Sequence, residues 1–322
     1  MKTFKNIGLW VSILAIILIG IWPIISRNPS SRESTSVILQ SIVLAASLNV
    51  LLGFTGYVSF GHVVFFGLGG YVGTYLLSAQ GWPLWIAAPA GGLASGILAF
   101  LLGKAILRLR GAYFALATIG INEAMRAFVN NFGPFGGPIG MTLKFKIYNN
   151  YGGANQALWI AYYGVFTLAI LAILLNFIVK NSKFGLGLMA IREDEDAAEV
   201  MGVATPNAKT WAYVLSAILP GIVGALFFFK NGNIEPGDAF RLNYSIEMLV
   251  MVMLGGQGSV LGPVLGAAGY QSLRGTLLTS PIFKNIQLSV AGALLLIIVL
   301  FIPAGAVGWL RRRFPSLRRI LP

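Results

Sequence analysis

The sequence predicts an all-α, polytopic integral membrane protein with about ten transmembrane helices and glycine-rich interruptions. Of its 322 residues, 57% are hydrophobic and only 10% are charged, and the mean hydropathy is +0.79. A soluble domain carries about 25% charged residues, so this chain lacks the polar surface that water requires. Several apolar runs approach the ~20 residues needed to cross a bilayer. The runs do not alternate with period two, which favours helices over a barrel.

The spans can be placed in order along the chain. The first apolar run, residues 7–25, follows Lys2 and Lys5 and has no small-residue cleavage pattern, so we expect an uncleaved span rather than a signal peptide. Residues 27–36 are then expected to form a short external loop. The later spans are predicted at residues 37–52, 63–79, 84–102, 111–129, 159–179, 211–229 and 244–254, with a ninth ending near 278 and a tenth at 288–310.

The orientation follows from the basic residues, which mostly flank the apolar runs. We therefore interpret the net charge of +13 as topological rather than as a nucleic-acid patch. With both termini in the cytoplasm, 14 of the 23 Lys and Arg residues lie on the cytoplasmic side. The prediction is a single transmembrane domain over residues 1–322, with a cytoplasmic loop at about residues 180–210.

Two glycine-rich breaks separate short spans. Irregular backbone at membrane depth is tolerated where it lines a cavity, and interrupted helices often mark a transport site. Gly53 and Gly56 in the first break, and Gly255 and Gly256 in the second, are therefore substrate-pathway candidates. The alternative is that the breaks are tight turns, and Pro263 favours this alternative for the second break.

Three ionisable residues lie in or beside predicted spans. Glu123 and Arg126 are spaced i, i+3 and can pair on one helix face. Such groups mark pathways or interhelical locks, although near an interface they can also reach water. His62, the single histidine, could couple transport to protons, but a helix-start hydrogen bonder is favoured. All three are carried as pathway candidates.

The most distinctive polar stretch is residues 184–202, FGLGLMAIREDEDAAEVMG, which we call the acidic segment. It contains five of the chain's 10 acidic residues and lies between the sixth and seventh predicted spans. Acidic residues at 193–196 suit a helix N-terminus, and Gly202 suits the stop after its last turn. We expect a cytoplasmic helix whose apolar patch, formed by Ala197, Ala198, Val200 and Met201, is presented to another protein.

Catalytic chemistry has little support in the sequence. There is no G-x-x-x-x-G-K-[ST] loop for ATP, no H-E-x-x-H motif and no cysteine. We therefore expect a transport subunit rather than an enzyme, with no cofactor or metal bound by this chain.

Four blocks carry a family resemblance. Within the acidic segment, Asp196-Ala-Ala-x-x-x-Gly202 resembles the E-A-A-x-x-x-G loop that docks importer permeases on their ATPases. The chain also resembles the LivM-type branched-chain amino acid permease family, in which these blocks occur in the same order. They are GFTGYVSFGHVVFFGLGGY (53–71), RGAYFALATIGINEAMR (110–126), FGLGLMAIREDEDAAEVMGV (184–203) and SIEMLVMVMLGGQGSVLGPVLGA (245–267).

The resemblance implies a permease of a bacterial inner-membrane ATP-binding-cassette importer that works by alternating access. Its implied partners are a second permease subunit, two ATPase subunits that use ATP, an extracytoplasmic solute-binding protein and membrane lipid, with no nucleic acid. Leucine, isoleucine and valine are the expected solutes, while urea, amides and other amino acids stay open. The residues expected to couple to the ATPase are Asp196, Ala197, Ala198, Met201 and Gly202.

Two departures and one alternative accompany this resemblance. Asp196 replaces the glutamate of the importer motif, and Ile218, Leu219 and Pro220 fall inside the next span instead of forming the motif's I-x-L-P tail. The alternative class is a channel or ion-coupled transporter that operates without an ATPase. It would use His62, the Glu123–Arg126 pair and the broken helices, and it would leave the acidic segment without a partner.

Overall fold

The computed structural model describes residues 7–26, 28–279, 289, 292–293 and 305–313. Within these residues the chain is helical apart from its connections and one two-residue strand pair. The helices are α1 (Ile7–Ser26), α2 (Pro29–Thr55), α3 (Val63–Ser78), α4 (Leu84–Ile106), α5 (Ala112–Asn131), α6 (Lys146–Asn149), α7 (Ala154–Lys180), α8 (Lys183–Glu193), α9 (Glu195–Val200), α10 (Thr205–Asn231), α11 (Pro236–Ala239), α12 (Leu242–Gly255), α13 (Gly262–Thr279) and α14 (Gly305–Arg313).

The all-α class is therefore confirmed, but the predicted number of spans is not. Five described helices, α1, α2, α4, α7 and α10, are long and apolar enough to cross a membrane. Helix α3 is apolar but has 16 residues. Helices α5, α12 and α13 are not among these five, and most of the tenth predicted span, 288–310, lies outside the described residues, so the count of about ten stays a prediction.

Helices α2 and α10 form the centre of the bundle. The most apolar window is 89% buried in α2 and 78% buried in α10, against 28% in α1, which lies at the periphery. Helix α2 packs against α7 and α13, whereas α10 packs against α3 and α4. Helices α3 and α10 approach each other closely through glycines. A Cβ at Gly69 of α3 or at Gly224 of α10 would collide with the backbone of the other helix.

The predicted external loop at residues 27–36 is wrong, because α2 begins at Pro29. Asn28 caps the helix by accepting a hydrogen bond from the Ser30 amide at 3.0 Å, and Pro29 suits the first helical position. Local capping thus carries the helix through a polar stretch that hydropathy assigns to a loop. Helix α10 also starts early, at Thr205, several residues before the apolar run; it has a proline in its first turn but no side-chain cap.

Residues 130–158, which lie between the fifth and sixth predicted spans, include a short strand. They contain 3-10 turns at Gly133–Phe135 and Gly137–Ile139, then β1 (Met141–Thr142). Strand β1 pairs antiparallel with β2 (Asn233–Ile234), in the register Met141 to Ile234. The pair ties together the connections that follow α5 and α10.

Candidate functional site

The acidic segment forms two helices rather than the single helix that we expected. Helix α8 ends at Glu193, and Asp194 adopts an extended backbone, with φ −158° and ψ 115°. Its Oδ1 accepts a hydrogen bond from the Ala197 amide at 2.9 Å, so Asp194 caps α9. The cap competes with helix continuation, and the chain turns at this residue. After α9, Gly202 has the predicted left-handed backbone, with φ +90°.

The start of α9 is fixed by a buried ion pair. Lys209 of α10 is 3% exposed at its side chain, and its Nζ lies 2.6 Å from Glu195 Oε1. Tyr57, which follows α2, donates its hydroxyl to Glu195 Oε2 at 2.7 Å. Lys209 Nζ also donates to the Tyr57 hydroxyl at 2.9 Å and to the Leu107 carbonyl at 2.7 Å. The segment after α2 and the start of α10 therefore meet at the Glu195 carboxylate, and Lys209 also joins them to the end of α4.

The environment of Glu195 keeps this carboxylate ionised. Burial raises the pKa of Glu195, but hydrogen bonds from Lys209 and Tyr57 and the charges of Lys209 and Arg110 outweigh it. The net result is a pKa below the usual glutamate range. An ionised Glu195 can thus hold Lys209 at any pH near neutrality.

Asp196 is held from the opposite side by Arg110. The guanidinium makes two hydrogen bonds to the Asp196 carboxylate, at 2.8 and 3.1 Å, and its Nε lies 3.6 Å from Glu195 Oε2. The Arg110 hydrogen bonds lower the pKa of Asp196. Arg110 and Asp196 are both largely exposed, so they form a surface clamp at the rim of α9.

The outer face of α9 is apolar and open. Val200 and Met201 are 89% and 85% exposed. Ala197 and Gly202 are exposed beside them. Ala198, however, is 3% exposed and packs inward against the chain's own core, so a direct partner contact for Ala198 does not fit the fold. Of the predicted apolar patch, Ala197, Val200 and Met201 are exposed.

A cavity of about 470 Å³ lies beside α9, between the end of α4 and the start of α10. Lys104, Arg108 and Arg110 line it together with Glu195 and Glu199. The exposed apolar face of α9 thus adjoins a recess with a mostly basic rim.

Both glycine-rich breaks meet at the end of α8. Arg192 donates from Nη1 to the Gly53 carbonyl at 2.9 Å, and its side chain packs over Gly56, where φ is +77°. A Cβ on Gly258 would lie 3.1 Å from Arg192 Nη1, and the Gly258 amide donates to Asn49 Oδ1 at 2.9 Å. The structure therefore brings Gly53 and Gly56 together with the second break at the base of the acidic segment.

The second break has the geometry of a tight turn. Ser259 Oγ donates to the Gly256 carbonyl at 2.7 Å and accepts from the Gly262 amide at 3.0 Å. A Cβ on Gly255 would collide with the Gly262 carbonyl, and Gly256 has φ +112°. These contacts agree with the turn interpretation of Gly255 and Gly256.

The remaining candidates lie away from the acidic segment. Glu123 Oε2 is 3.5 Å from Arg126 Nη1, and both side chains are about half exposed on α5. His62 is fully buried, and its Nε2 lies 2.9 Å from the Ser216 carbonyl of α10. Because a carbonyl only accepts, Nε2 carries the proton. His62 thus bonds across to α10 and makes no side-chain cap on α3.

Sequence reasoning missed four residues that build the site: Tyr57, Arg110, Arg192 and Lys209. One signal was available, because Lys209 stands alone at the start of an apolar run that follows an acidic stretch. Among the described residues, no three His, Cys, Asp or Glu side chains are close enough to hold a metal ion.

Comparison with known proteins places these features in a family context. Residues 33–299 match the model of a family described as branched-chain amino acid transport system / permease component. The LivM high-affinity branched-chain amino acid permease protein of Salmonella typhimurium is 30% identical over 281 residues, covering 79% of this chain and 65% of LivM. The aligned part thus spans slightly less than two thirds of that relative.

More distant relatives cover more of their own length. A probable branched-chain amino acid permease protein LivM from Methanocaldococcus jannaschii is 24% identical, covering 87% of this chain and 85% of that protein. The LivH permease protein of Salmonella typhimurium is 23% identical, covering 83% of this chain and 90% of LivH. No solved structure matches the chain.

Proposed function

This chain belongs to the family of permease components of branched-chain amino acid transport systems, and we propose that it is the membrane-spanning permease subunit of an ATP-binding-cassette importer for branched-chain amino acids. In this proposal the chain lies in the bacterial inner membrane with both termini in the cytoplasm. It carries no nucleotide site of its own, and partner subunits hydrolyse ATP.

The observation that carries the proposal is the combination of an open apolar face on α9 with a rigid base beneath it. Val200 and Met201 are almost fully exposed beside the acidic residues of the segment. Large exposed apolar side chains in such a setting indicate a protein-binding surface. The Glu195–Lys209 pair at the base of α9 would pass a displacement of that surface directly to α10.

Arg192 gives the same segment a second connection to the bundle. Its hydrogen bond to the Gly53 carbonyl joins α8 to the end of α2 and to both glycine-rich breaks. We infer that closure of two ATPase subunits moves α8 and α9 as one body. That movement would reach α2 through Arg192 and α10 through Lys209, and it would open the pathway toward the cytoplasm.

A second permease subunit is proposed from α5. Glu123 lies about 2 Å along the axis from the middle of Ala112–Asn131, and Arg126 about 7 Å. In the proposed arrangement α5 crosses the membrane, where a half-exposed ion pair at that depth is costly against hydrocarbon. The exposed face of α5 therefore suits a partner permease or a water-filled path between two permeases, and the relatives include both LivM and LivH. An external solute-binding protein would deliver the amino acid.

The test is reconstitution of the chain with its candidate partners. The chain is co-expressed with the second permease and the ATPases, placed in proteoliposomes, and supplied with the solute-binding protein and labelled leucine. We expect uptake that requires ATP and all subunits. Uptake by the chain alone without ATP would support the channel class instead, and uptake of urea but not leucine would reassign the solute.

A matched pair of variants tests the docking face. Met201→Asp is expected to abolish co-purification of the ATPases, because a charge replaces an apolar contact. Ile139→Asp is the control, since Ile139 is 87% exposed but lies in the 3-10 turn after α5, near the opposite end of the bundle. If Met201→Asp and Ile139→Asp retain the ATPases equally, α9 is not the docking element.

A further inference from the structure

A cavity of about 620 Å³ opens at the end of the bundle opposite the acidic segment. Its walls come from the first half of α2, from α12 and from the second half of α13, with Phe227 of α10. The opposite end of α2 holds Gly53, which contacts Arg192 of the acidic segment. The volume lies within the ~300–1,000 Å³ usual for small-molecule sites.

The polar part of this cavity is an ion pair that joins two helices. Arg274 Nη1 of α13 lies 2.9 Å from Glu247 Oε2 of α12, with side chains 27% and 11% exposed. Both residues line the cavity. Among the described contacts the pair uses one N–H of the guanidinium and one carboxylate oxygen. A guanidinium has five N–H donors and a carboxylate about four acceptor positions, so both groups can bind more.

The rest of the lining has a polar part, which includes Glu33, Gln40 and Gln271, and an apolar part. Val37 and Leu44 of α2 face the space together with Met248 and Met251 of α12. Methionine side chains adapt to branched aliphatic groups because they are unbranched and flexible. The cavity thus combines the Glu247–Arg274 pair with an aliphatic wall, and its second carboxylate, Glu33, is paired with Lys230 of α10.

We propose that this cavity binds a free amino acid with an aliphatic side chain. Its α-carboxylate binds Arg274, its α-ammonium binds Glu247, and its side chain lies against Met248 and Met251. The assignment rests on the proposed function as an amino-acid permease and adds a substrate site at the end where solute would enter.

Charge balance supports a zwitterion over other small molecules. A zwitterion adds no net charge to a site that already holds a balanced pair, and each of its charges meets an opposite one. A ligand with only a carboxylate or only an ammonium leaves one charge unpaired in a partly buried site, which is costly. The cavity should therefore prefer leucine to isovalerate or isoamylamine.

The competing interpretation is that Glu247 and Arg274 only tie α12 to α13. Under that interpretation no ligand occupies the cavity, and enlarging its apolar wall has no effect on ligand preference. A binding measurement on a wall variant therefore separates the two, because the ion pair stays intact.

The experiment uses the full chain, co-purified with the subunits that it assembles with and held in lipid nanodiscs. The probe is a leucine analogue with a diazirine in its side chain, and the labelled peptides are identified by mass spectrometry. We expect labelling of the part of α12 that contains Met248 and Met251. Leucine should compete with the probe, whereas isovalerate and isoamylamine should not.

Three variants test which side chains of the cavity bind the amino acid. Glu247→Gln should weaken competition by leucine roughly tenfold or more. Met251→Ala keeps the ion pair and should shift preference from valine toward phenylalanine, which also covers the case in which Glu247→Gln fails to fold. Asp238→Asn is the control, because its ion pair with Arg241 lies outside the cavity lining.

The outcomes are distinct from those of the proposed function. Absent labelling of the part of α12 that contains Met248 and Met251, or labelling that leucine does not reduce, overturns the site, even if ATP-dependent leucine uptake is normal. Competed labelling in a complex that shows no ATP-dependent uptake supports the site and contradicts the importer function.

Discussion

Lys209 Nζ lies 2.6 Å from Glu195 Oε1, so the first residue of α9 is tied to the start of α10. The pair is separated by only 14 residues in sequence, but the chain passes through α9 and its glycine stop before it returns. Tyr57, which follows the last turn of α2, donates a hydrogen bond to the other carboxylate oxygen of Glu195. A partner that pushes on α9 therefore acts on a buried electrostatic contact and not on a flexible loop.

We expect Glu195→Gln and Lys209→Met each to lower the thermal stability of the purified complex strongly. Breaking a buried pair by removing one partner leaves an uncompensated charge, which typically costs about 3–5 kcal/mol. The double variant Glu195→Gln/Lys209→Met should recover part of the loss. The measurement is the midpoint temperature from size-exclusion chromatography after heating.

Glu193→Gln is the matched carboxylate control, since Glu193 is 77% exposed at its side chain and pairs with Arg192 at the surface. Its midpoint should stay close to that of the unmodified chain. A double variant that is no more stable than the two single variants would contradict the pairwise account.

The Glu195–Lys209 contact also predicts how the stability of the complex depends on pH in the acid range. The pKa of Glu195 is lower in the folded chain than in the unfolded chain, so its contribution to stability is fully present above the ordinary glutamate pKa of about 4.3. The contribution is lost as pH falls through the lower folded value. We expect the contribution of Glu195 to the midpoint temperature to stay constant from pH 8 to about pH 5.

The check is the difference in midpoint temperature between the unmodified chain and Glu195→Gln, followed against pH. The difference should be constant near neutrality and should shrink only below about pH 4. A difference that begins to shrink at pH 6 would mean that the carboxylate is not held ionised by Lys209 and Tyr57.

Glu123→Gln should lower leucine uptake more than it lowers membrane yield. The carboxylate lies near the middle of α5 on an exposed face, which the proposed function turns toward a pathway or a second permease. Uptake in proteoliposomes is compared with the amount of folded complex. The control is Asp238→Asn, because Asp238 and Arg241 form a pair with the same i, i+3 spacing and similar exposure outside the long helices.

If uptake and yield fall in proportion for Glu123→Gln, the pair is a structural lock. Equal losses of uptake in Glu123→Gln and Asp238→Asn would show that Glu123 has no specific role in transport.

Glycine replacements should separate packing within the chain from packing against a second permease. A Cβ on Gly69 would collide with the Gly221 backbone, so Gly69→Leu is expected to abolish the folded chain. A Cβ on Gly120 of α5 would have no described atom within 4 Å beyond its own helix turn. Gly120→Leu should therefore leave the chain folded but reduce its co-purification with the second permease.

Normal co-purification of Gly120→Leu would show that this face of α5 does not contact the second permease. Normal folding of Gly69→Leu would contradict the close packing of α3 on α10.

Much of the architecture is predictable from the sequence because it depends on local patterns. Apolar runs mark the cores of α1, α2, α4, α7 and α10, and the acidic segment is recognisable by its charge between two such runs. The glycine stop at Gly202 follows from the steric freedom of that residue. Helix ends are less predictable, since the cap at Asn28 extends α2 through a polar stretch.

Which distant residues meet is settled by tertiary packing alone. Ala198 fits the apolar pattern as well as Met201 does, but packing turns it inward to 3% exposure. Arg192 reaches both glycine-rich breaks, and Glu247 reaches Arg274 across 27 residues, without any periodicity that links them. Hydropathy and propensity are set by neighbours along the chain, whereas these contacts depend on how the helices cross. The membrane class and the location of the acidic segment can therefore be read from the order of residues, but the contacts that anchor that segment exist only in the folded bundle.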